Sequence, residues 1–366
     1  MPEQTIDLIA RRIRHDIVAM HAYAVQDARG MVKLDAMENP YTLAPAMQQK
    51  LGQRLGALAL NRYPDGRINV LRSALATYAQ MPEGYDIMLG NGSDELISLL
   101  AIAGSVAGAS ILAPVPGFVM YALSAQLHGL DFHGVPLTPD FELDEPAMIA
   151  AIRAHQPAIV YLAYPNNPTA NLWDDVAIAN IIAEVGQQGG LVVMDEAYLP
   201  FSSRTWLDRI RAQPSRHGHV LLMRTLSKFG LAGVRLGYLM GPKALIAEVD
   251  KVRPPYNISV LNCECALFAL ENVDVFMEQA LDLKAQRAII LEALAALPGV
   301  FSWNSEANMI LIRVPDASAT FERMKSQGVL IKNVSRSHPL LNNCLRLTVG
   351  TAFENQQMLD ALKRSL

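Results

Sequence analysis

The sequence contains few cysteines and no surplus of positive charge. Cys263, Cys265 and Cys344 are the three cysteines among 366 residues, an odd count without the spacing of a metal site. We therefore expect a reducing compartment, no disulfide framework and no bound metal. Lys and Arg number 31 against 35 Asp and Glu, and no basic stripe stands out. This balance argues against nucleic acid as a partner.

A long stretch without charge, from Leu96 to Leu130, contains no Asp, Glu, Lys or Arg. It is long enough to suggest a membrane span, but glycines and prolines divide it into a predicted helix at 94–106, a turn and a strand at 110–113. The first 16 residues carry several charged side chains, so we expect no secretory signal. The sequence therefore predicts a soluble, cytoplasmic protein that does not enter a membrane.

The remaining pattern predicts an α/β fold with two domains, since the chain is long and 51% of its residues are hydrophobic. Predicted strands alternate with helices, which indicates a mostly parallel, doubly wound sheet. The strands are predicted at 110–113, 132–135, 158–163, 191–195, 219–223 and 236–240, and the helices near 119–128, 144–154 and 174–187. We expect an N-terminal arm (1–40) that joins the small domain, a large domain (41–255) and a smaller α+β domain (256–366).

One lysine follows the apolar run at 220–223. Lys228 would lie beyond the carboxyl end of a buried strand, where ligands bind in open α/β sheets. Partial desolvation there lowers the pKa of an amine and lets it act as a nucleophile. Thr225 and Ser227 offer hydroxyls, and Arg235 a positive charge, to an anionic ligand. A lone lysine in a loop is more often simply solvated. The neighbouring motifs therefore decide whether Lys228 has a catalytic role.

A glycine turn at 90–92 precedes a predicted helix and is a candidate phosphate cradle. Backbone N–H groups at Gly92, Ser93 and Asp94 would meet the anion at the positive end of the helix. An ordinary helix with Ser93 as its N-cap is an equally good explanation of this motif alone. A dinucleotide fingerprint fails because its last glycine would fall on Glu95.

Two further strand ends carry polar side chains. The turn at 164–169 presents Asn167, and the strand ending at residue 194 is followed by Asp195 and, after two residues, by Tyr198. A buried carboxylate at this position is costly unless it is paired. One cofactor satisfies the whole set, because pyridoxal phosphate has a phosphate, a phenolic oxygen, a protonated ring nitrogen and an aldehyde for Lys228.

With these motifs the chain resembles the fold-type I pyridoxal-phosphate aminotransferases of the aspartate aminotransferase superfamily, and within them the histidinol-phosphate aminotransferase family. The resemblance covers nearly the whole chain. It is carried by LDAMENP (34–40), RYPDG (62–66), GNGSDE (90–95), YPNNPT (164–169), DEAY (195–198), TLSKFGLAGVRLGY (225–238), EANMILIR (306–313) and CLRLTVG (344–350).

The resemblance implies a role for each matching residue. Lys228 would form the Schiff base with the cofactor and move the proton. The residues implied to bind the cofactor are Tyr63 (from a partner subunit), Gly92, Ser93, Asp94, Phe118 (stacked on the ring), Asn167, Asp195, Tyr198, Thr225, Ser227 and Arg235. Those implied to bind substrate are Tyr23, Asn308, Lys332 and Arg346. Lys332 stands where many members have an arginine, and Arg336 could substitute for it.

The implied activity is the transfer of an amino group between L-histidinol phosphate and 2-oxoglutarate, in histidine biosynthesis, by a homodimer. Two alternatives stay open. An aromatic or broad-range aminotransferase would tolerate the lysine at position 332. A decarboxylase of threonine phosphate would share the lysine, the aspartate and the arginine that binds phosphate.

Overall fold

The computed structural model describes residues 3–22, 26–64 and 66–366. Tyr23 and Asp65 lie outside the described residues. The helices are Glu3–Arg12 (α1), His15–Val18 (α2), Pro45–Gly56 (α3), Arg67–Tyr78 (α4), Ser93–Ala103 (α5), Met120–His128 (α6), Glu145–His155 (α7), Asp175–Gln187 (α8), Leu207–Ala212 (α9), Lys243–Val249 (α10), Val260–Glu271 (α11), Val273–Ala295 (α12), Ala317–Ser326 (α13) and Ala352–Ser365 (α14). The strands are Val32–Lys33 (β1), Tyr85–Gly90 (β2), Ser110–Val115 (β3), Asp131–Pro136 (β4), Ile159–Ala163 (β5), Leu191–Asp195 (β6), Val220–Thr225 (β7), Gly237–Pro242 (β8), Phe301–Ser302 (β9), Met309–Arg313 (β10), Val329–Leu330 (β11), Lys332–Asn333 (β12) and Cys344–Thr348 (β13).

Seven strands form the large sheet in the order β2-β8-β7-β6-β5-β3-β4. Strands β3 to β7 are parallel to their neighbours among them, whereas β8 runs antiparallel to both β2 and β7. The neighbouring strands β5, β6 and β7 therefore end at the same edge of the sheet. This arrangement confirms the predicted α/β fold with a mostly parallel sheet, and it places the motifs at 164–169, 195–198 and 225–228 side by side.

Helices cover both faces of this sheet, which explains why its strands read as continuous apolar runs. Leu222 of β7 belongs to one buried cluster, and its neighbours Leu221 and Met223 belong to a second cluster on the opposite face. All six residues of β7 are buried. Alternate side chains of the central strands thus hold the two helical layers together.

A smaller sheet, with the order β12-β13-β10-β9, and α13 and α14 enclose a separate core. The N-terminal segment joins this core, because β1 pairs in parallel with β11 and Leu34 is buried there. Helix α12 connects the two parts, since Phe276 lies in the core of the large sheet and Ala280 in the smaller core. The two cores thus meet along α12, beyond residue 255; the domain limits themselves stay a prediction.

The structure differs from the sequence analysis at several points, of which two concern α5 and α13. The N-cap of α5 is Gly92, and Ser93 is the first helical residue, so the assignment of Ser93 as N-cap was wrong. The helix α13 was not predicted, because its apolar residues are spread between hydroxyl and charged side chains. Among the described residues, no helix is both long and apolar enough to cross a membrane.

Candidate active site

The predicted lysine lies in a cavity at the carboxyl edge of the large sheet. The strand β7 ends at Thr225, and a short π-helical turn begins at Ser227 and carries Lys228. The Lys228 Nζ donates a hydrogen bond of 2.8 Å to the carbonyl oxygen of Ala36, in the N-terminal segment. The ammonium also lies 5.9 Å from the centre of the Tyr198 ring.

The surroundings of Lys228 favour its neutral form. Burial lowers its pKa to about 8, and the positive charges of Arg346 and Arg235 act in the same direction. Its carbonyl partner is uncharged, so no carboxylate hydrogen bond holds the proton in place. A lysine with this pKa supplies an amine nucleophile, or a base, near neutral pH.

A second titratable group in the cavity is Asp195, the last residue of β6, which is 5% exposed. Burial raises the pKa of Asp195 to about 6. Its Oδ1 accepts a hydrogen bond of 3.0 Å from the Ala197 N–H, and its Oδ2 accepts one of 2.7 Å from the Tyr121 hydroxyl. Both donors are neutral, so a cationic ring nitrogen in the cavity would meet a buried carboxylate that two hydrogen bonds hold in place.

An arginine from the smaller sheet connects to two of the predicted side chains. Arg346 of β13 donates from Nη1 to the Asn167 Oδ1 at 2.8 Å, and from Nη2 to the carbonyl oxygen of Asp35 at 2.7 Å. Asn167 in turn donates from Nδ2 to the Tyr198 hydroxyl oxygen at 3.0 Å. The three side chains form one buried chain of hydrogen bonds that joins the two parts of the molecule.

The anion cradle is built around Gly92, which has a φ of +87°. A Cβ on Gly92 would lie 2.6 Å from Nη2 of Arg235, and a Cβ on Gly237 would lie 2.7 Å from the Ser93 N. Glycine at both positions lets the Arg235 guanidinium and strand β8 approach the first turn of α5. The N–H groups of this turn, which begins with Ser93 and Asp94, are open to an anion.

Hydroxyls complete the cradle on the side of Lys228. The Thr225 and Ser227 hydroxyl oxygens are 3.0 Å apart, and Nη1 of Arg235 lies 3.3 Å from the Ser227 hydroxyl. Arg235 also forms an ion pair of 3.4 Å with the carboxylate of Asp94. Two hydroxyls, a guanidinium and a helix N-terminus converge on one side of the cavity.

A larger cavity of about 630 Å³ adjoins the first one and is lined by Phe118, Asn167, Lys332, His338 and Arg346, among others. Phe118 lines both cavities. Lys332 of β12 stands directly opposite Arg346 of β13 in the antiparallel ladder. Two cations in such a pair repel one another, and an anion between them would relieve the repulsion. The size of the cavity suits a small metabolite.

The remaining predicted residues lie elsewhere. Tyr63 is 76% exposed and stacks on Tyr256 at 4.5 Å, away from the cavity of its own chain. Asn308 is buried and donates to the carbonyl oxygen of Met37, and it lines neither cavity. Arg336 is exposed and also lines neither one. The role of Tyr23 stays a prediction, because this residue is outside the described part of the chain.

Sequence reasoning missed Tyr121 and the carbonyl of Ala36. The signal for Tyr121 was weak: it lies in the first turn of α6, three residues after Phe118, which precedes the helix. The contact of Ala36 had no such signal, because a backbone carbonyl carries no residue type. Across residues 3–22, 26–64 and 66–366, no cluster of three or more His, Cys, Asp or Glu side chains could hold a metal.

The whole chain, and not only the site, is similar to known proteins. The family model described as aminotransferase class I and II matches residues 29–363. A histidinol-phosphate aminotransferase of Polaromonas naphthalenivorans (strain CJ2) is 70% identical over 366 residues, which are 100% of this chain and 99% of that protein. One of Paracidovorax citrulli (strain AAC00-1) is 66% identical over 360 residues, 97% of each chain. The solved structure of histidinol-phosphate aminotransferase from Sinorhizobium meliloti in complex with pyridoxal-5'-phosphate has a TM-score of 0.84 at 24% identity, covers 97% of each chain and shares the fold.

Proposed function

We propose that this chain moves an amino group between L-histidinol phosphate and 2-oxoglutarate, a reaction of histidine biosynthesis. The products are the imidazole acetol phosphate and glutamate. The chain belongs to the class I and II aminotransferase family. The chain is a pyridoxal-phosphate-dependent transaminase. The relatives at 70% and 66% identity over nearly full length support this pair over the aromatic and decarboxylase alternatives.

The residues present fit the cofactor. A side chain at Gly92 or Gly237 would fill the cradle, which is consistent with the approach of a phosphate to the first turn of α5. We propose that this turn, Thr225, Ser227 and Arg235 hold the phosphate. We propose further that Asp195 pairs with the ring nitrogen, that Asn167 and Tyr198 contact the phenolic oxygen, and that Phe118 stacks on the ring.

Pyridoxal phosphate, when bound, supplies an aldehyde for the amino group and a ring that withdraws electrons. The protein's own contribution is to place an amine, an acid and the donors around it. With a pKa of about 8, Lys228 is neutral in roughly a tenth of the molecules at pH 7, so its Nζ can take up and release a proton. Buried donors keep their orientation without reorganising during the reaction, which strengthens their electrostatic effect.

The observation that carries the substrate proposal is the cross-strand pair of Lys332 and Arg346. Glutamate and histidinol phosphate share one site, and each has an anionic group close to its amine: the α-carboxylate in glutamate, and in histidinol phosphate the phosphate on the CH2 next to the amine-bearing carbon. The two cations stand side by side at the wall of the larger cavity, so one pocket can take a carboxylate or a phosphate. Lysine provides a point charge and arginine a two-pronged donor, which suits both anions.

Steady-state kinetics with matched variants test this proposal. Lys332→Ala should raise KM for histidinol phosphate by about tenfold or more, since a charge-assisted contact contributes about 1.5–3 kcal/mol. Arg336→Ala is the control, because Arg336 is exposed and lines neither cavity. If both substitutions raise KM equally, or if neither raises it, the assignment of Lys332 to the substrate phosphate is contradicted.

The choice of substrate is tested by mixing the purified holoenzyme with single amines and following the absorbance of the bound cofactor. Histidinol phosphate and glutamate should each change the spectrum within one turnover. Rapid change with phenylalanine would identify a broad aromatic aminotransferase. Release of CO₂ from threonine phosphate would identify a decarboxylase.

We propose that the active form is a homodimer in which Tyr63 of one subunit contacts the cofactor phosphate bound in the other subunit. The stacked rings of Tyr63 and Tyr256 are 76% and 53% exposed, and Ile6 and Leu8 of α1 are also exposed. Exposed apolar groups of this kind favour contact with a second chain. Sedimentation equilibrium would show a monomer if the proposal is wrong. A cytoplasmic location stays a prediction.

A further inference from the structure

One contact in the site has no role in the proposed function so far, the hydrogen bond from the Tyr121 hydroxyl to Oδ2 of Asp195. We propose that Tyr121 is a positioning residue that keeps Asp195 ionised and oriented, so that Asp195 can hold a proton on the ring nitrogen of pyridoxal phosphate. This inference rests on the proposed function, because it concerns the same cofactor.

Asp195 is a buried carboxylate whose charge needs stabilisation by its neighbours. It is 5% exposed, and burial disfavours its charge and raises its pKa to about 6. The nearby carboxylates of Asp94 and Glu196 act in the same direction. Opposing them are the two hydrogen bonds that Asp195 accepts, from the Tyr121 hydroxyl and from the Ala197 N–H.

The packing around Tyr121 restricts the positions that its hydroxyl can take. It lies in the first turn of α6 and is 2% exposed. Its ring stacks on Tyr161 with the ring centres 4.3 Å apart and packs edge-on against Phe118 at 5.6 Å. Burial and the charge of Asp195 raise the pKa of Tyr121, so the hydroxyl keeps its proton and stays a donor.

The hydrogen bond from Tyr121 also affects where a proton shared by the ring nitrogen and Asp195 would lie. When a ring nitrogen faces a carboxylate, the pair is either charged, with the proton on nitrogen, or neutral, with the proton on oxygen. A hydrogen bond to the carboxylate stabilises the charged pair and leaves the neutral pair less favoured. Loss of the Tyr121 hydroxyl should therefore move the proton from the ring nitrogen toward Asp195.

The neighbouring ring offers a matched control. The Tyr161 hydroxyl is also buried, yet it forms no hydrogen bond within the described part of the chain. Tyr161→Phe removes a hydroxyl from the same aromatic stack without touching Asp195. Tyr121→Phe removes the one that does. Both substitutions keep the ring and its packing, so a general loosening of the stack would affect the two variants alike.

The test uses the holoenzyme reconstituted with pyridoxal phosphate that carries ¹⁵N in the ring. In Tyr121→Phe the ¹⁵N shift should move toward the value of a neutral pyridine, and kcat should fall by about 10- to 100-fold, the range for a hydrogen bond to a charged group. KM should change less than kcat, because the Tyr121 side chain lines both cavities but its hydroxyl donates to Asp195. Tyr161→Phe should match the wild type in both measurements.

The outcomes separate the two proposals. An unchanged ¹⁵N shift in Tyr121→Phe, or the same change in both variants, would overturn the role of Tyr121. Failure of the wild-type protein to bind pyridoxal phosphate would instead overturn the cofactor sites proposed above, whatever Tyr121 does. Thermal unfolding of the three proteins without cofactor checks that each is folded.

Discussion

A buried ion pair between Arg224 and Glu196 lies next to the site, and its burial sets how much stability the protein should lose when one partner is removed. Arg224 and Glu196 form this pair, with side chains 5% and 0% exposed, and Nη2 of Arg224 lies 2.8 Å from Oε2 of Glu196. Glu196 also accepts hydrogen bonds from the Thr205 hydroxyl at 2.8 Å and from the Trp206 N–H at 2.6 Å. Glu196 directly follows Asp195 and Arg224 directly precedes Thr225, so the pair links two strand ends of the site.

Arg224→Met should destabilise the protein strongly, because it leaves the carboxylate of Glu196 buried beside neutral donors only. Removing one partner of a buried pair costs about 3–5 kcal/mol. An unfolding entropy of about 2.1 cal/mol/K per residue gives about 0.8 kcal/mol/K for a chain of this length. A loss of about 4 kcal/mol therefore lowers Tm by about 5 °C.

Calorimetry at a fixed scan rate measures this change. The double variant with Arg224→Met and Glu196→Leu should recover part of the loss, since it removes the unpaired charge as well. Lys251→Met is the control: Lys251 pairs with Glu248, the two side chains are 66% and 68% exposed, and loss of this pair should leave Tm nearly unchanged. A Tm for Arg224→Met within a degree of the wild type would refute the reasoning.

Three further predictions concern the cofactor site. Lys228→Ala should abolish transamination while the protein stays folded, and turnover at the wild-type rate would contradict the proposed role. In the apoprotein, the rate of capture of pyridoxal phosphate should rise with pH through about 8, because burial lowers the pKa of Lys228 and the neutral amine is the nucleophile; stopped-flow absorbance with a midpoint above 10 would disagree. Gly237→Ala should weaken cofactor binding, measured by titration, and destabilise the fold by about 1–3 kcal/mol, because its Cβ would lie 2.7 Å from backbone atoms of Gly92 and Ser93. Gly233→Ala is the control: its Cβ would meet nothing within 4 Å, so neither effect is expected.

Local pattern accounts for the parts of the fold and of the site that the sequence predicts. The short apolar run before Lys228 and the one before Asp195 both form buried strands, because β-branched and aliphatic residues pack well in a sheet that is covered on both faces. Parallel strands bring their carboxyl ends to one edge, so residues that follow different strands meet there. Asn167 and Tyr198 were brought together for this reason, and they now share a hydrogen bond.

Pairings between distant segments could not be obtained in this way. Strand β8 is a short buried run like β6 and β7, yet it runs antiparallel to its neighbours in the sheet. The direction of a strand depends on its connection and on its partner strands, which the residues of the strand do not reveal. The register that sets Lys332 opposite Arg346 is likewise a property of the pairing of two strands. Periodicity shows which face of a strand is buried but not which residue lies beside it.

The sequence by itself thus determined the α/β class, the strand ends that carry polar side chains, and the chemistry that those side chains offer. Only the tertiary structure decided which of them touch. Lys228 meets a carbonyl 192 residues away, and Arg346 meets Asn167 at a separation of 179 residues. The low pKa of the lysine follows from that packing, because desolvation depends on every segment that folds over the amine, and no local pattern contains this information.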